Sequence, residues 1–331
     1  MDDIITLDYG SGGTKTSSLI EQLIVPAMNN SMLSQLSDGA IANGSGQIAF
    51  STDSFVIDPI FFPGGDIGKL SVCGTVNDVL MCGAEPKYLS LAFIIEEGLE
   101  TESLQRIISS VSETAKRAGV SVITGDTKVV DRGRGDKIYI NTSGIGFVKH
   151  PDLGKDKIRP GDVVILSGTA GDHGAAIMMA RTGMMSGSLQ SDCAPLNKLC
   201  ETVLQHNGIK IMRDPTRGGV ATTLNEFVEG TSLCIELDEN SIPVRPEVTA
   251  VCDMLGLDPL YCANEGKLLV ITDASEAEAL LADMRKTENG ENAAIIGTVS
   301  QRWPGRVVMK TEAGGSRILQ KLSGSQLPRI C

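Results

Sequence analysis

The feature that most constrains the fold of this chain is its hydrophobic pattern, in which segments with the spacing of a strand alternate with segments with the spacing of a helix. Residues 47–57 alternate apolar and polar side chains, whereas residues 66–82 carry apolar side chains at helical spacing. Further strands are predicted at 88–95, 120–124 and 138–148, with an amphipathic helix at 101–118 that has Thr101 as its N-cap. A sheet covered by helices on one face buries both kinds of apolar surface, so the pattern predicts an α+β fold.

The chain is long enough for two domains. It has 331 residues, of which 41% are apolar, and prolines, glycines and charges interrupt the pattern at 150–161. Strands are then predicted at 163–166, 232–237, 268–272 and 294–299, and helices at 175–180, 220–228 and 276–285. We therefore predict domains at 1–150 and 151–321. Glycines and a proline from Thr311 onward predict a loosely held end, with a mobile tail at 322–331.

Composition excludes several classes of function. A net charge of -12 and an aromatic content of 4% argue against nucleic-acid binding, which needs a basic surface. No apolar run has the length of a membrane span, and the first ten residues lack the features of a signal peptide, so we expect a cytoplasmic protein without a membrane partner. None of the eight cysteines forms a CxxC pair, which argues against a structural zinc site.

Four aspartates stand at predicted strand ends or on a helix that follows one: Asp38, Asp53, Asp78 and Asp126. Asp78 is the most unusual, because Asn77-Asp78 interrupts an otherwise apolar helix. The other three also suit simple turns or helix caps. Convergence of several carboxylates on Mg²⁺ and a triphosphate would explain all four positions, and it would let an acidic protein bind a polyanion such as ATP.

Three polar loops are candidates for ligand contact. The run Gly10-Ser11-Gly12-Gly13 offers backbone amides to an anion, although it is not a Walker A motif and also suits a flexible terminal segment. Asp214-Pro215-Thr216-Arg217-Gly218-Gly219 precedes a predicted helix, and Asn264-Glu265-Gly266 precedes a predicted strand. A capped helix and a polar turn are the alternative interpretations of these last two motifs.

Taken together and in this order, the motifs resemble those of the HypE family. That family belongs to the superfamily of aminoimidazole ribonucleotide synthetase, selenophosphate synthetase and thiamine-monophosphate kinase. The resemblance covers the whole chain, and its motifs are Gly10-Ser11-Gly12-Gly13, Thr52-Asp53, Asn77-Asp78, Met81-Cys82-Gly83-Ala84-Glu85-Pro86, Gly125-Asp126-Thr127-Lys128-Val129, Gly171-Asp172-His173-Gly174, Asp214-Pro215-Thr216-Arg217-Gly218-Gly219, Asn264-Glu265-Gly266 and Pro328-Arg329-Ile330-Cys331. The last of these is the most diagnostic.

The resemblance implies an ATP-dependent carbamoyl dehydratase with two synthetase-like domains. It would convert a thiocarboxamide on its own last residue, Cys331, to a thiocyanate, with Glu265 and Lys128 beside the reacting group. Glu265 is the better candidate for the principal base, with Lys128 assisting, because Lys128 would need a substantially lowered pKa to act as a base. The implied ATP-binding residues are Gly10, Ser11, Gly12, Gly13, Asp53, Asn77, Asp78, Asp126, Thr127 and Asp214, and the implied Mg²⁺ ligands are Asp38, Asp53, Asp78 and Asp126. The product would supply the cyanide ligands of the NiFe hydrogenase iron.

The resemblance also implies partners. The carbamoyltransferase HypF would load Cys331, a HypC–HypD complex would accept the cyanide, and residues 1–150 would bind ATP and form a homodimer. Two rival functions remain open. A selenophosphate synthetase would need a catalytic cysteine near the N-terminal glycine run, yet the first cysteine is Cys73. A non-catalytic scaffold for metallocentre assembly would need the tail but not the acidic residues.

Overall fold

The computed structural model describes residues 2–6, 9, 14–30, 44, 46–183, 188–322, 327 and 329–331. It contains two domains, each built on one main sheet. The strands of the first domain are β1 (Ile48–Phe55), β2 (Phe61–Phe62), β3 (Gly65–Asp66), β4 (Ala84–Glu96), β5 (Ser121–Val130) and β6 (Ile138–Val148). Its helices are α1 (Thr14–Leu19), α2 (Val25–Met28), α3 (Ile67–Met81) and α4 (Thr101–Arg117), with a π-helical turn at Ile20–Ile24.

The main sheet of the first domain has the order β1-β6-β4-β5 among the described residues. Only its β4–β5 pair is parallel, and the other two pairs are antiparallel. Side chains such as Ile140 and Thr142 point inward and are almost fully buried, and α3 and α4 pack together within this domain. The opposite face retains exposed apolar side chains, of which Phe50 is 65% exposed. The predicted sheet with helices on one face is therefore confirmed.

The second domain has a larger sheet, whose order among the described residues is β13-β12-β9-β11-β7-β10-β8. Its strands are β7 (Val163–Leu166), β8 (Ile209–Arg213), β9 (Cys234–Asp238), β10 (Leu269–Thr272), β11 (Ala294–Ser300), β12 (Val307–Lys310) and β13 (Ser316–Leu319). Its helices are α5 (Asp172–Thr182), α6 (Asn197–Leu204), α7 (Gly219–Val228), α8 (Pro246–Leu255) and α9 (Ala277–Met284). In the part of the chain that the structure describes, no helix has the length and apolar content to cross a bilayer.

Two local predictions are wrong. Thr101 is not the N-cap of α4, because the helix follows Glu100 and the Thr101 hydroxyl instead donates a hydrogen bond of 2.7 Å to the carbonyl of Asp2. The chain from Thr311 onward is not loose throughout, since β13 pairs with β12 in a hairpin. Gly314 lies in the turn with φ of +83°, a conformation that favours glycine. The glycines there therefore shape a turn between strands.

Helix α3 joins the two domains. Nearly all of its side chains are buried, and the helix contacts β8 and α6 of the second domain as well as the sheet of the first. Asn77 is 1% exposed, and its carboxamide donates to the carbonyls of Ala194 (3.1 Å) and Glu265 (3.4 Å). The amide N–H of Leu196 donates to its oxygen at 3.0 Å. Asn77 therefore links the helix to the backbone of the second domain.

We predict that Asn77→Ala lowers the free energy of unfolding by about 1–3 kcal/mol, because it leaves buried backbone groups of the second domain without partners. Urea denaturation measures the change. Within the described part of the chain, the side chain of the exposed Asn240 hydrogen-bonds to nearby Asp238, so Asn240→Ala is a matched control with an expected change below about 0.5 kcal/mol. Equal stability of the two variants would contradict the bridging role.

Candidate active site

A cavity of about 380 Å³ lies between the two domains. Its walls come from the end of β1, from α3, from the loop between β8 and α7, from the segment before β10 and from the last residues of the chain. The lining side chains include Asp53, Asp78, Arg213, Asp214, Arg217, Glu265 and Cys331. The structure thus brings together acidic residues from four separate motifs and the predicted reactive cysteine.

Asp53 and Asp78 are held by contacts between β1 and α3. Gly74 of α3 allows a close approach, because a Cβ at this position would lie 2.9 Å from the Phe55 ring and 3.7 Å from the Asp53 carboxylate. Ser51, two residues before Asp53 on the strand, donates a hydrogen bond of 2.6 Å to the Asp78 carboxylate. Strand alternation places Ser51 and Asp53 on the same face, so both acidic groups point into the cavity.

The clustered carboxylates repel one another. Burial, followed by the negative charge of Asp78, raises the pKa of Asp53 to about 6, although Arg217 opposes the shift. Burial and Asp78 likewise raise the pKa of Asp214 to about 7. A bound cation would offset the negative charge of these carboxylates and stabilise their charged forms. Among the described residues, no three acidic, histidine or cysteine side chains form a ready-made metal site.

Glu265 is the most deeply buried acid of the cavity, with 3% exposure. Its backbone N–H donates to Asp192 at 3.1 Å, while its side-chain Oε1 has no hydrogen-bond partner among the described residues. Burial is the main reason that the pKa of Glu265 lies well above its usual range, and nearby Cys193 and Asp214 add to it. Burial therefore disfavours the charged form of this carboxyl group.

The cavity is not lined by Asp126, Thr127 or Lys128. They belong to β5, which is separated from β1 by two strands, so about 14 Å of sheet lies between the two edges. Asp126 and Lys128 form an exposed ion pair of 2.5 Å, and the hydrogen bond from Lys128 is the main cause of the lowered pKa of Asp126. Both project from the open face, whereas Thr127 points into the core. A single chain therefore does not place Asp126 and Lys128 beside Asp53 and Glu265.

The last three residues line the cavity, and Arg329 has a left-handed backbone with φ of +55°. The amide N–H groups of Val56 and Asp58 donate to the carbonyls of Cys331 (3.2 Å) and Arg329 (3.4 Å). Ile330 between them is 4% exposed. Burial raises the pKa of the Cys331 thiol to about 12, and the charge of Glu265 contributes to this shift. The thiol is consequently almost entirely protonated at neutral pH in this position.

Several other predicted site residues have a different placement. Gly10, Ser11, Gly12, Gly13 and Asp38 lie outside the described residues. Asn77 turns its carboxamide to the second domain and does not line the cavity. Sequence reasoning also missed three contact residues. Arg217 and His173 stood in recognised motifs without a role, and Ser191 stood in no motif. Since His173 contacts a residue 157 positions away, only the fold reveals its partner.

Comparison with known proteins identifies the family. Models of the N-terminal and C-terminal domains of AIR synthase related proteins match residues 36–148 and 159–310. The carbamoyl dehydratase HypE of Escherichia coli K12 is 45% identical, over 99% of this chain and 99% of the relative. The chain belongs to the HypE family. A crystal structure of HypE in complex with ATP has 48% identity and a TM-score of 0.95, covering 98% of this chain and 99% of that one.

A second solved structure relates the family to a partner. The HypE chain of a HypE–HypF complex is 45% identical to this chain with a TM-score of 0.80, and the match covers 92% of this chain and 99% of that one. Both HypE matches extend over the two domains. The cavity between these domains therefore belongs to the part of the fold that this chain shares with HypE.

The raised pKa of Asp214 predicts a pH-dependent stability. Between the ordinary pKa of 3.8 and the folded value of about 7, the folded state binds more protons than the unfolded state, so the free energy of unfolding falls as the pH rises. Asn cannot ionise. We expect Asp214→Asn to reduce the loss of stability between about pH 5 and pH 8 by about 1–3 kcal/mol.

Urea denaturation of ligand-free protein at the two pH values measures this difference. Asp253→Asn on the exposed surface of α8 is the control, and it should leave the pH dependence unchanged. A wild-type pH dependence in Asp214→Asn would show that Asp214 ionises normally in the folded chain.

Proposed function

We propose that this chain converts a carbamoyl group on the sulfur of Cys331 into a thiocyanate at the expense of ATP. The observation that carries the proposal is the location of Cys331, which lines the same cavity as Asp53, Asp78 and Glu265. The HypE relatives named carbamoyl dehydratases and the HypE structure that holds ATP support it. The cyanide so formed would supply the ligands of the NiFe hydrogenase iron.

The proposed reaction balances as a phosphoryl transfer followed by an elimination. The carbonyl oxygen of the carbamoyl group attacks the γ-phosphorus of ATP, and ADP leaves. Loss of one N–H proton gives a C=N bond. Loss of the second N–H proton, with cleavage of the C–O bond, gives C≡N and releases phosphate. The products are the thiocyanate of Cys331, ADP, phosphate and one proton.

The acidic residues of the cavity fit a role in binding Mg²⁺ with ATP. Magnesium commonly takes one or two carboxylates together with substrate phosphates, which suits acids that form no complete metal site by themselves. Asp53 and Asp78 would hold it, with Asp214 nearby. When bound, Mg²⁺ offsets the charge on the transferring phosphoryl group. Arg213 and Arg217 line the same cavity and would interact with the phosphates.

Glu265 is the proposed acceptor of the N–H protons, with Lys128 assisting. Burial raises the pKa of Glu265 and so opposes the charged form, and cations bound in the cavity would lower that pKa and favour the base. Its unpartnered Oε1 leaves one oxygen available to the reacting group. Lys128 would have to come from another copy of the chain, because this chain's Lys128 lies on the far edge of its own sheet.

A homodimer formed through the first domains would satisfy this requirement. The open face of the sheet carries Ile48, Phe50 and Ile94, which are 60%, 65% and 46% exposed. Exposed apolar side chains of this size on one sheet face are typical of a surface that packs against another. Asp126 and Lys128 lie on this same face. A second copy packed there would cover the apolar side chains and bring both charged groups into an interface.

We further propose that the tail receives its carbamoyl group outside the cavity. With a pKa of about 12 in the docked position, the Cys331 thiol is a poor nucleophile there. The HypE–HypF complex supports HypF as the donor, and a HypC–HypD complex would take the cyanide. All eight cysteines are free thiols, which suits the reducing cytoplasm.

The test is the mass of the carbamoylated chain before and after ATP and Mg²⁺ are added. We expect a loss equal to one water molecule, together with formation of one ADP and one phosphate per chain. A Cys331→Ala variant should neither accept the carbamoyl group from HypF nor lose mass. ATP binding without any mass loss in the carbamoylated wild type would instead favour a scaffold function.

Two variants should separate proton transfer from nucleotide binding. Glu265→Gln keeps the shape of the side chain but removes the base, so we expect normal ATP affinity and at least about 100-fold slower dehydration. Asp78→Asn removes a charge near the proposed metal and should weaken ATP turnover itself. Calorimetric titration with ATP and single-turnover dehydration measure both effects. A normal dehydration rate in Glu265→Gln would eliminate Glu265 as the base.

A further inference from the structure

The docked tail is held by its backbone. His173 is fully buried, and its Nε2 lies 2.8 Å from the carbonyl oxygen of Ile330, the residue before Cys331. The guanidinium of Arg181 contacts the carbonyls of Arg329 and Asp58. Val56 and Asp58 donate their N–H groups to the tail from the other side. None of these bonds involves the Cys331 sulfur, so none is lost when the sulfur is modified.

The hydrogen-bond partners of His173 define its tautomer. A carbonyl oxygen can only accept, so Nε2 must carry the proton that is donated to Ile330. Nδ1 lies 2.7 Å from the Ser191 hydroxyl and accepts its proton, while the Ser191 oxygen in turn accepts from the N–H of Cys193 at 3.1 Å. Burial lowers the pKa of His173, in keeping with a neutral ring. Each hydrogen bond from Cys193 through Ser191 and His173 to Ile330 therefore has a defined donor and a defined acceptor.

The surroundings also fix the direction of the ring. Phe62 packs edge-on against His173, with ring centroids 5.6 Å apart. Ser191 is anchored by its own N–H, which donates to the Pro63 carbonyl at 2.8 Å. His173 itself lies in the first turn of α5. This helix begins directly after Gly171, which has a left-handed conformation. The donor is therefore held in place before the tail arrives.

We propose that His173 is a positioning residue that holds the carrier tail in register, through its bond to the Ile330 carbonyl, so that the group on Cys331 reaches Asp53 and Glu265. The inference rests on the proposed function, since it assumes that Cys331 carries the reacting group. A tail bound by its backbone docks with a free thiol, a carbamoyl group or a thiocyanate on its sulfur. His173 would therefore act on docking and leave ATP binding unaffected.

The test compares His173→Gln with His173→Asn. The Gln amide nitrogen reaches about as far as the histidine Nε2 and can donate to Ile330, whereas the shorter Asn side chain reaches only to the position of Nδ1. We expect His173→Asn to dehydrate the carbamoylated tail about tenfold more slowly at saturating ATP, the size of effect that follows from loss of a buried hydrogen bond. His173→Gln should remain within about threefold of wild type. ATP affinity should be the same in all three proteins, and carbamoylation by HypF should be no slower in the variants than in wild type, because loading takes place outside the cavity.

Trypsin provides a readout that does not depend on catalysis. It cleaves after Arg329, and because Ile330 is 4% exposed in the docked tail, we expect docking to protect that bond. We expect cleavage to be about tenfold faster in His173→Asn than in wild type or His173→Gln. Equal cleavage in all three proteins, or equal acceleration in both variants, would overturn the role of His173. If wild type fails to lose water with ATP, the proposed function fails, while the cleavage rates still decide whether His173 holds the tail.

Discussion

Helix α3 is buried between two domains and yet carries the polar pair Asn77-Asp78. It must therefore satisfy two requirements: its buried polar groups need hydrogen-bond partners, and the site needs charge. Asn77 meets the first, since its carboxamide bonds to three backbone groups of the second domain. Asp78 meets the second, because Ser51 binds one of its oxygens while it lines the cavity. One turn of one helix therefore joins the domains and supplies charge to the site. Glu265 depends on the same helix, since its carbonyl accepts from Asn77.

The electrostatics of the cavity suit a modified sulfur better than a free thiol. Burial, followed by the charge of neighbouring carboxylates, raises the pKa values of Asp53, Asp214 and Cys331 together, so the docked thiol stays protonated. A carbamoylated sulfur has no such proton to lose and carries no charge, and the carboxylates do not oppose it. The negative field that would bind Mg²⁺ with ATP thus disfavours reaction of the bare thiol in the same place, which is consistent with loading at a separate enzyme.

The sequence predicts the regular elements well and the spatial relations poorly. Strands β1 and β6 and helix α3 follow from hydrophobic periodicity, and Asp53, Asp78, Asp214 and Glu265 follow from motifs, and the cavity contains all four acids. The position of the remaining predicted site residues depends on the order of the strands in the sheet. Asp126 and Lys128 stand in a motif as specific as the others, yet β5 is at the opposite edge from β1. Periodicity cannot show this, because it fixes the faces of a strand and not its neighbours.

The tail shows most directly why local patterns are insufficient. Gly324 and Pro328 predict weak local structure, and this says nothing about what the following residues meet across the fold. Ile330 is buried, and Val56, Asp58 and His173, which are far away in sequence, supply hydrogen-bond donors to the backbone of the last three residues. The position of these three residues is therefore defined by the elements that bind them. The proposed carrier role would need this property, because a tail with stable structure of its own would have to unfold to fit a second site.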